Sequence, residues 1–147
     1  MSVYLLDVNL LMALLWTNHE QHNAADGWFQ SHQRSGWATC PLTQAAFVRI
    51  SSNPRIFPEA PTPTKAVEIL QANVNHRTHH FWKDEVSFAE AVAPFSNGLA
   101  GHKQTTDAYL LGLAIHKRGV LATFDVGIAD LLPNGSPLLK SLTILKG

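Results

Sequence analysis

Three aspartates stand where a carboxylate is either out of place or well placed for chemistry. Asp7 interrupts one of the most apolar stretches of the chain, Val3-Tyr4-Leu5-Leu6-Asp7-Val8-Asn9-Leu10-Leu11. A carboxylate buried there needs a partner, a hydrogen-bond network or a metal. The pattern recurs where Val120-Leu121-Ala122-Thr123-Phe124 runs into Asp125. Asp107 opens the clearest helical segment, just after Thr105-Thr106. Three carboxylates brought together repel, and each pKa rises unless a divalent cation neutralises the group. Oxygen ligands favour Mg2+ or Mn2+ over zinc. Such a centre positions and activates water for in-line attack on a phosphodiester. Each residue also has a plainer explanation. Asp107 suits a helix N-terminus, Asp125 can cap a short helix through Ile128 to Leu132, and Asp7 can cap the helix that follows it. A shared metal site explains all three with one cause.

The elements that must position these groups follow from hydrophobic spacing. Val3 to Leu6, Gly36 to Cys40, Val120 to Phe124 and Leu142 to Leu145 read as short buried strands, and His79 to Trp82 as a further one. Helices are predicted over Asn9–Trp16, Gln21–His32, Thr43–Ser51, Thr64–Asn73, Ser87–Phe95 and Asp107–Lys117. Thr43 is read as a cap, as is Thr105 or Thr106. Ser96-Asn97-Gly98 breaks one helix and Arg118-Gly119 ends the last. Alternating short strands and helices argue for an α/β three-layer sandwich with a mostly parallel central sheet, one domain over residues 1–147. In such sheets ligands bind beyond the carboxyl ends of the strands, where Asp7 and Asp125 fall. On geometry alone Asp107 is the weakest member. A helix start is expected at that edge less often when the helix precedes a neighbouring strand than when it follows one.

At 147 residues, with 46% hydrophobic and 15% charged residues, the chain can bury a core and is not of disordered type. Its 11 basic and 11 acidic residues balance, so bulk charge carries no nucleic-acid footprint. Bound metal or a local basic patch can still supply that attraction. The lone Cys40 excludes an intrachain disulfide and suits a reducing compartment. The N-terminal apolar run has no basic segment before it and is broken by Asp7 and Asn9, so no signal peptide is expected. No stretch is long and apolar enough to span a bilayer, and a cytoplasmic protein without membrane association is expected.

Four segments in order carry a family resemblance. They are Leu5-Leu6-Asp7-Val8-Asn9; Trp37-Ala38-Thr39-Cys40-Pro41-Leu42-Thr43-Gln44 with Phe47-Val48-Arg49-Ile50; Thr106-Asp107-Ala108-Tyr109-Leu110-Leu111; and Leu121-Ala122-Thr123-Phe124-Asp125. Over nearly its whole length the chain resembles the PIN-domain ribonucleases, in particular the VapC-type toxins of prokaryotic toxin–antitoxin pairs. The resemblance implies a PIN-like fold and an acidic quartet that binds magnesium or manganese and cleaves RNA. Asp7 and Asp107 would be the main metal ligands, and Asp125 would complete the site or orient water. Arg49, Asn9 and Thr123 form the implied substrate-binding set: Arg49 as a phosphate contact, Thr123 supporting the site by hydrogen bonding, and Asn9 beside it. The family often has Glu where this chain has Gln44. An amide oxygen can coordinate a cation but brings no charge, so weaker binding of a second metal and a single-metal resting state are expected. The implied partners are RNA, such as transfer or ribosomal RNA, a cognate antitoxin whose tail occupies the groove, and a second copy in a homodimer.

Other candidates read more plainly. His19-Glu20-Gln21-His22 and His79-His80 lack zinc-site spacing and are expected to be solvated or hydrogen-bonded. Trp16, Trp28, Trp37 and Trp82 are expected in the core or at a partner face. Lys103, Lys117 and Arg118 are candidate RNA-backbone contacts, though Lys117 and Arg118 also suit a helix C-terminus. Two alternatives remain: a different magnesium-dependent phosphohydrolase with Asp7 as nucleophile, and a catalytically weakened binding module, suggested by Gln44.

Overall fold

The computed structural model describes residues 1–95 and 98–147, with the Lys103 side chain left out. The expected break at Ser96-Asn97 and the expected role of Lys103 therefore lie outside the described residues. The chain runs β1 (Tyr4–Leu6), α1 (Val8–Leu15), α2 (His22–His32), β2 (Trp37–Thr39), α3 (Pro41–Ser51), α4 (Pro63–Val74), β3 (His79–Phe81), α5 (Phe88–Val92), α6 (Thr105–His116), β4 (Val120–Thr123) and β5 (Leu142–Ile144). A 3-10 segment, Val126–Leu131, follows β4.

The five strands form one sheet in the order β3-β2-β1-β4-β5. Every pairing is parallel, so the sheet is wholly rather than mostly parallel. The chain steps outward from β1 to β3, then returns to the other side of β1. That reversal puts the switch point, where open α/β sheets bind ligands, between β1 and β4. The pleat sends alternate side chains to opposite faces. Leu5, Ala38 and Leu121 join the core shared with α5 and α6. Leu6, Trp37 and Ala122 join the one shared with α1, α2 and α3. Burial on both faces explains why these strands are continuously apolar. The edge strand β3 is more open, with Phe81 51% exposed.

Several helix starts differ from the sequence reading. α3 starts at Pro41, which needs no N–H partner in a first turn. Thr43 sits two residues inside, and its hydroxyl accepts from the Cys40 N–H at 3.0 Å. Neither Thr105 nor Thr106 caps α6, which begins at Thr105 after a 3-10 turn, His102–Gln104. At its other end Arg118, not Gly119, takes the left-handed backbone (φ 57°). Gly119 is required for a different reason: a Cβ there would press on the Trp82 ring and the Val3 carbonyl. Its N–H bonds back to the Ala114 carbonyl at 2.8 Å, so the chain turns sharply from α6 into β4. The helix therefore runs back across the sheet, and its first turn lies over the edge where β4 ends. Among the described residues, no helix is long and apolar enough to cross a membrane.

Candidate active site

Asp7 leaves the central strand and immediately caps α1. Its backbone N–H continues the ladder to the Ala122 carbonyl at 2.9 Å. Its side chain is 4% exposed, and both oxygens are engaged. Oδ1 accepts from the Val8 N–H at 2.8 Å, and Oδ2 accepts from the Thr123 hydroxyl at 2.7 Å. Burial raises the Asp7 pKa; the Thr123 and Val8 hydrogen bonds hold it down, and Asp125 adds a smaller upward push.

Thr123, the last residue of β4, has no exposed surface. While its hydroxyl donates to Asp7, the same oxygen accepts from Asn9 Nδ2 at 3.2 Å and from the Asp125 N–H at 3.0 Å. Asn9 Oδ1 in turn accepts from the Phe124 N–H at 3.2 Å. One hydroxyl thus ties the ends of β1 and β4 to the start of α1. Thr123 is sealed from any ligand, so it supports Asp7 and does not touch a substrate. Asn9 braces the same corner.

Asp125 is exposed, and its Oδ1 accepts from the Gly127 N–H at 2.9 Å. The expected cap is therefore present, on a 3-10 turn rather than an α-helix. Asp107 is half-buried in the first turn of α6 and accepts no hydrogen bond among the described residues. Its pKa is pushed up to about 6, first by burial, then by Asp7 and Asp125. The return of α6 to the carboxyl edge makes Asp107 a full neighbour of the other two, against the expectation from helix order. All three aspartates therefore face one another electrostatically. No lysine, arginine or histidine among the described residues forms an ion pair with any of them.

Gln44 reaches the same edge from the first turn of α3, but its amide is committed elsewhere. Nε2 donates to the Thr39 hydroxyl at 3.0 Å, and that hydroxyl meets His79 Nε2 at 2.7 Å. Burial, with smaller contributions from His80 and His76, lowers the His79 pKa to about 4, so its ring is neutral at ordinary pH. The Gln44–Thr39–His79 relay has no counterpart in the sequence reading. Its sequence signal is a threonine closing β2 just as Thr123 closes β4. Arg49 stands exposed in the last turn of α3, away from the helix start, and among the described residues it forms no ion pair with the carboxylates. Lys117 pairs with Glu85 at 2.9 Å rather than standing free.

The donor set suits a hard divalent cation: oxygen ligands from three aspartates, with Asp125 raising the pKa of Asp7 and both raising that of Asp107. As placed, no group of three or more His, Cys, Asp or Glu among the described residues forms a ready metal cage.

The family model described as PIN domain matches residues 4–131. The chain is similar to Ribonuclease VapC38 of Mycobacterium tuberculosis (strain H37Rv), 44% identical over 128 residues, covering 86% of this chain and 88% of the relative. It is also similar to Ribonuclease VapC39 of the same strain, 42% identical over 126 residues, covering 86% and 91%. Among solved structures it resembles a chain of the VapBC2 crystal structure from Rickettsia felis, bound to a DNA fragment from their promoter. The TM-score is 0.66 over 98% of this chain and 99% of that one; identity is 12%, so this likeness concerns the fold alone.

Proposed function

The chain belongs to the PIN-domain family and its VapC-type toxins, and from that premise we propose that it is a magnesium- or manganese-dependent endoribonuclease. In this reading it is the toxin of a toxin–antitoxin pair, hydrolysing phosphodiester bonds in structured RNA such as transfer or ribosomal RNA. It acts in the cytoplasm as a homodimer and is silenced by a cognate antitoxin. One observation carries the catalytic reading: a half-buried Asp107, raised to about 6, beside Asp7 and Asp125 at the switch point.

Asp7, Asp107 and Asp125 would hold the cation, in part through water. When bound, the ion supplies charge for the phosphodiester oxygens and a more acidic water. The chain's own residues do the positioning. Thr123 and the Val8 N–H fix both Asp7 oxygens, so this carboxylate keeps one orientation. Gly127 fixes one oxygen of Asp125, leaving the other to orient a water. Asp107, half-buried at the start of α6, would complete the set. Arg49 would contact a phosphate of RNA reaching past the far end of α3.

Incubating total RNA with purified protein and added Mg2+ or Mn2+ tests this reading. Discrete cleavage is expected from the wild type and none from Asp7→Asn, with circular dichroism confirming that the variant is folded. No cleavage by well-folded wild type with either ion would sink the enzymatic reading. The engagement of Gln44 with Thr39 favours one second reading, a weakened module that binds RNA or partner without turnover; retention of RNA without cleavage would mark it.

A further inference from the structure

A hollow of 390 Å3 opens at the start of α6, lined by Leu42, Val86, Phe88 and Tyr109 with polar groups from Asp84, Thr105 and Thr106. It shares the first turn of α6 with Asp107 and the first turn of α3 with Gln44. The Phe88 and Tyr109 rings are nearly parallel, 6° apart with centroids at 6.2 Å. Phe88 is 46% exposed, and Leu42 is also exposed. The Tyr109 phenol donates to Asp84 Oδ1 at 3.0 Å, which holds an otherwise exposed carboxylate against the aromatic wall. The hydrogen bond leaves Asp84 Oδ2 free and a second lone pair on Oδ1. None of these side chains has a part in the cleavage chemistry above.

A flat apolar wall with one fixed, acceptor-only group is how proteins hold an unstacked base. The wall covers the ring face, and the polar group reads the base edge. A carboxylate offers two adjacent acceptors. On its Watson–Crick edge guanine offers two adjacent donors, N1–H and the N2 amino group. Adenine, cytosine and uracil each set an acceptor beside their donor there, and that acceptor would face the carboxylate. We propose that this hollow is a base subsite that takes one unstacked guanine of the RNA, with Phe88 and Leu42 against the ring and Asp84 on N1–H and N2. RNA lying across Asp107 passes the hollow within one helical turn. The inference rests on the ribonuclease reading for its substrate, but the subsite is measurable without cleavage.

The test is titration of the full chain with GMP, AMP, CMP and UMP in chelator, followed by the NMR resonances of Phe88 and Tyr109. GMP is expected to shift both and to bind most tightly of the four. Asp84→Asn should invert the order of GMP and AMP, because an amide offers the acceptor–donor pair that matches adenine. Phe88→Ala should weaken all four by about tenfold while leaving their order intact. Shifts with no base preference, or none from any nucleotide, would overturn the proposal. So would shifts that depend only on protein concentration or on a protein partner, which would assign the hollow to a second copy or to the antitoxin. Cleavage of a random-sequence RNA separates this proposal from the one beneath it. Guanine binding without cleavage defeats the ribonuclease reading and leaves the subsite standing. Cleavage with no guanine preference, unchanged in Asp84→Asn, does the reverse.

Discussion

Replacing Asp107 by asparagine should make the metal-free protein more stable while abolishing cleavage. The Asp107 carboxyl rises from 3.8 to about 6 on folding. Between those values the folded chain keeps a proton that the unfolded chain has released, so stability falls as pH rises through that window. Above about 6 the whole cost is present; below 3.8 both states are protonated and there is none. Roughly two units would amount to about 3 kcal/mol at full value; a half-buried group screened by solvent should realise about 1–2 kcal/mol. Asparagine gives up a favourable negative charge in a first helical turn, about 0.3–1 kcal/mol. The expected net gain at pH 8 is therefore about 1 kcal/mol, or roughly 2–4 °C in Tm for a domain of this size. Urea unfolding followed by tryptophan fluorescence in chelator, at pH 4, 6 and 8, measures it. The gain should be near zero at pH 4, grow towards pH 6 and flatten above. A variant no more stable than wild type at pH 8, or equally favoured at pH 4 and pH 8, would refute the idea that Asp107 is half-buried beside two further carboxylates.

Other outcomes follow from the same corner. Thr123→Val keeps the shape but leaves Asp7 Oδ2 without its donor in a buried site; it should destabilise the fold by about 1–3 kcal/mol and lower cleavage, read by urea unfolding and RNA gels. Gln44→Glu should keep or raise metal-dependent cleavage, and a large loss would argue against placing Gln44 at the metal edge. Millimolar Mg2+ should raise the wild-type Tm, with a concentration dependence set by its Kd, and should raise that of Asp107→Asn much less; equal shifts would place the ion elsewhere.

The parts of this fold legible in the sequence are those with one dominant cause. Leu5, Leu6, Leu121 and Ala122 are buried on both sheet faces, and continuous apolar runs announce such strands. Asp7 was legible because a carboxylate in such a run demands compensation, and Thr123 supplies it. Asp107 was harder to place because its position depends on the sharp turn at Arg118-Gly119, which sends α6 back across the sheet. Thr39 closing β2 is the one local sign of the Gln44–Thr39–His79 relay; its partner His79 is set by β2 pairing with β3, a tertiary fact. Asp84 sits in Lys83-Asp84-Glu85, which reads as solvated charge; only the arrival of Tyr109, 25 residues away, gives it a fixed place.

The bond between Thr123 and Asp7 spans 116 residues of chain, and this separation has a consequence for when the protein becomes active. No strand in the sheet pairs with its neighbour through a tight hairpin, so every pairing joins distant segments. The central strand is made first, yet its aspartate lacks its donor until β4 arrives. At synthesis rates of about 5–20 residues per second, that wait is roughly 6–23 s. A nascent chain therefore carries no assembled carboxylate centre, and any toxic activity begins only when most of the chain has left the ribosome. The order of the strands acts as a built-in delay.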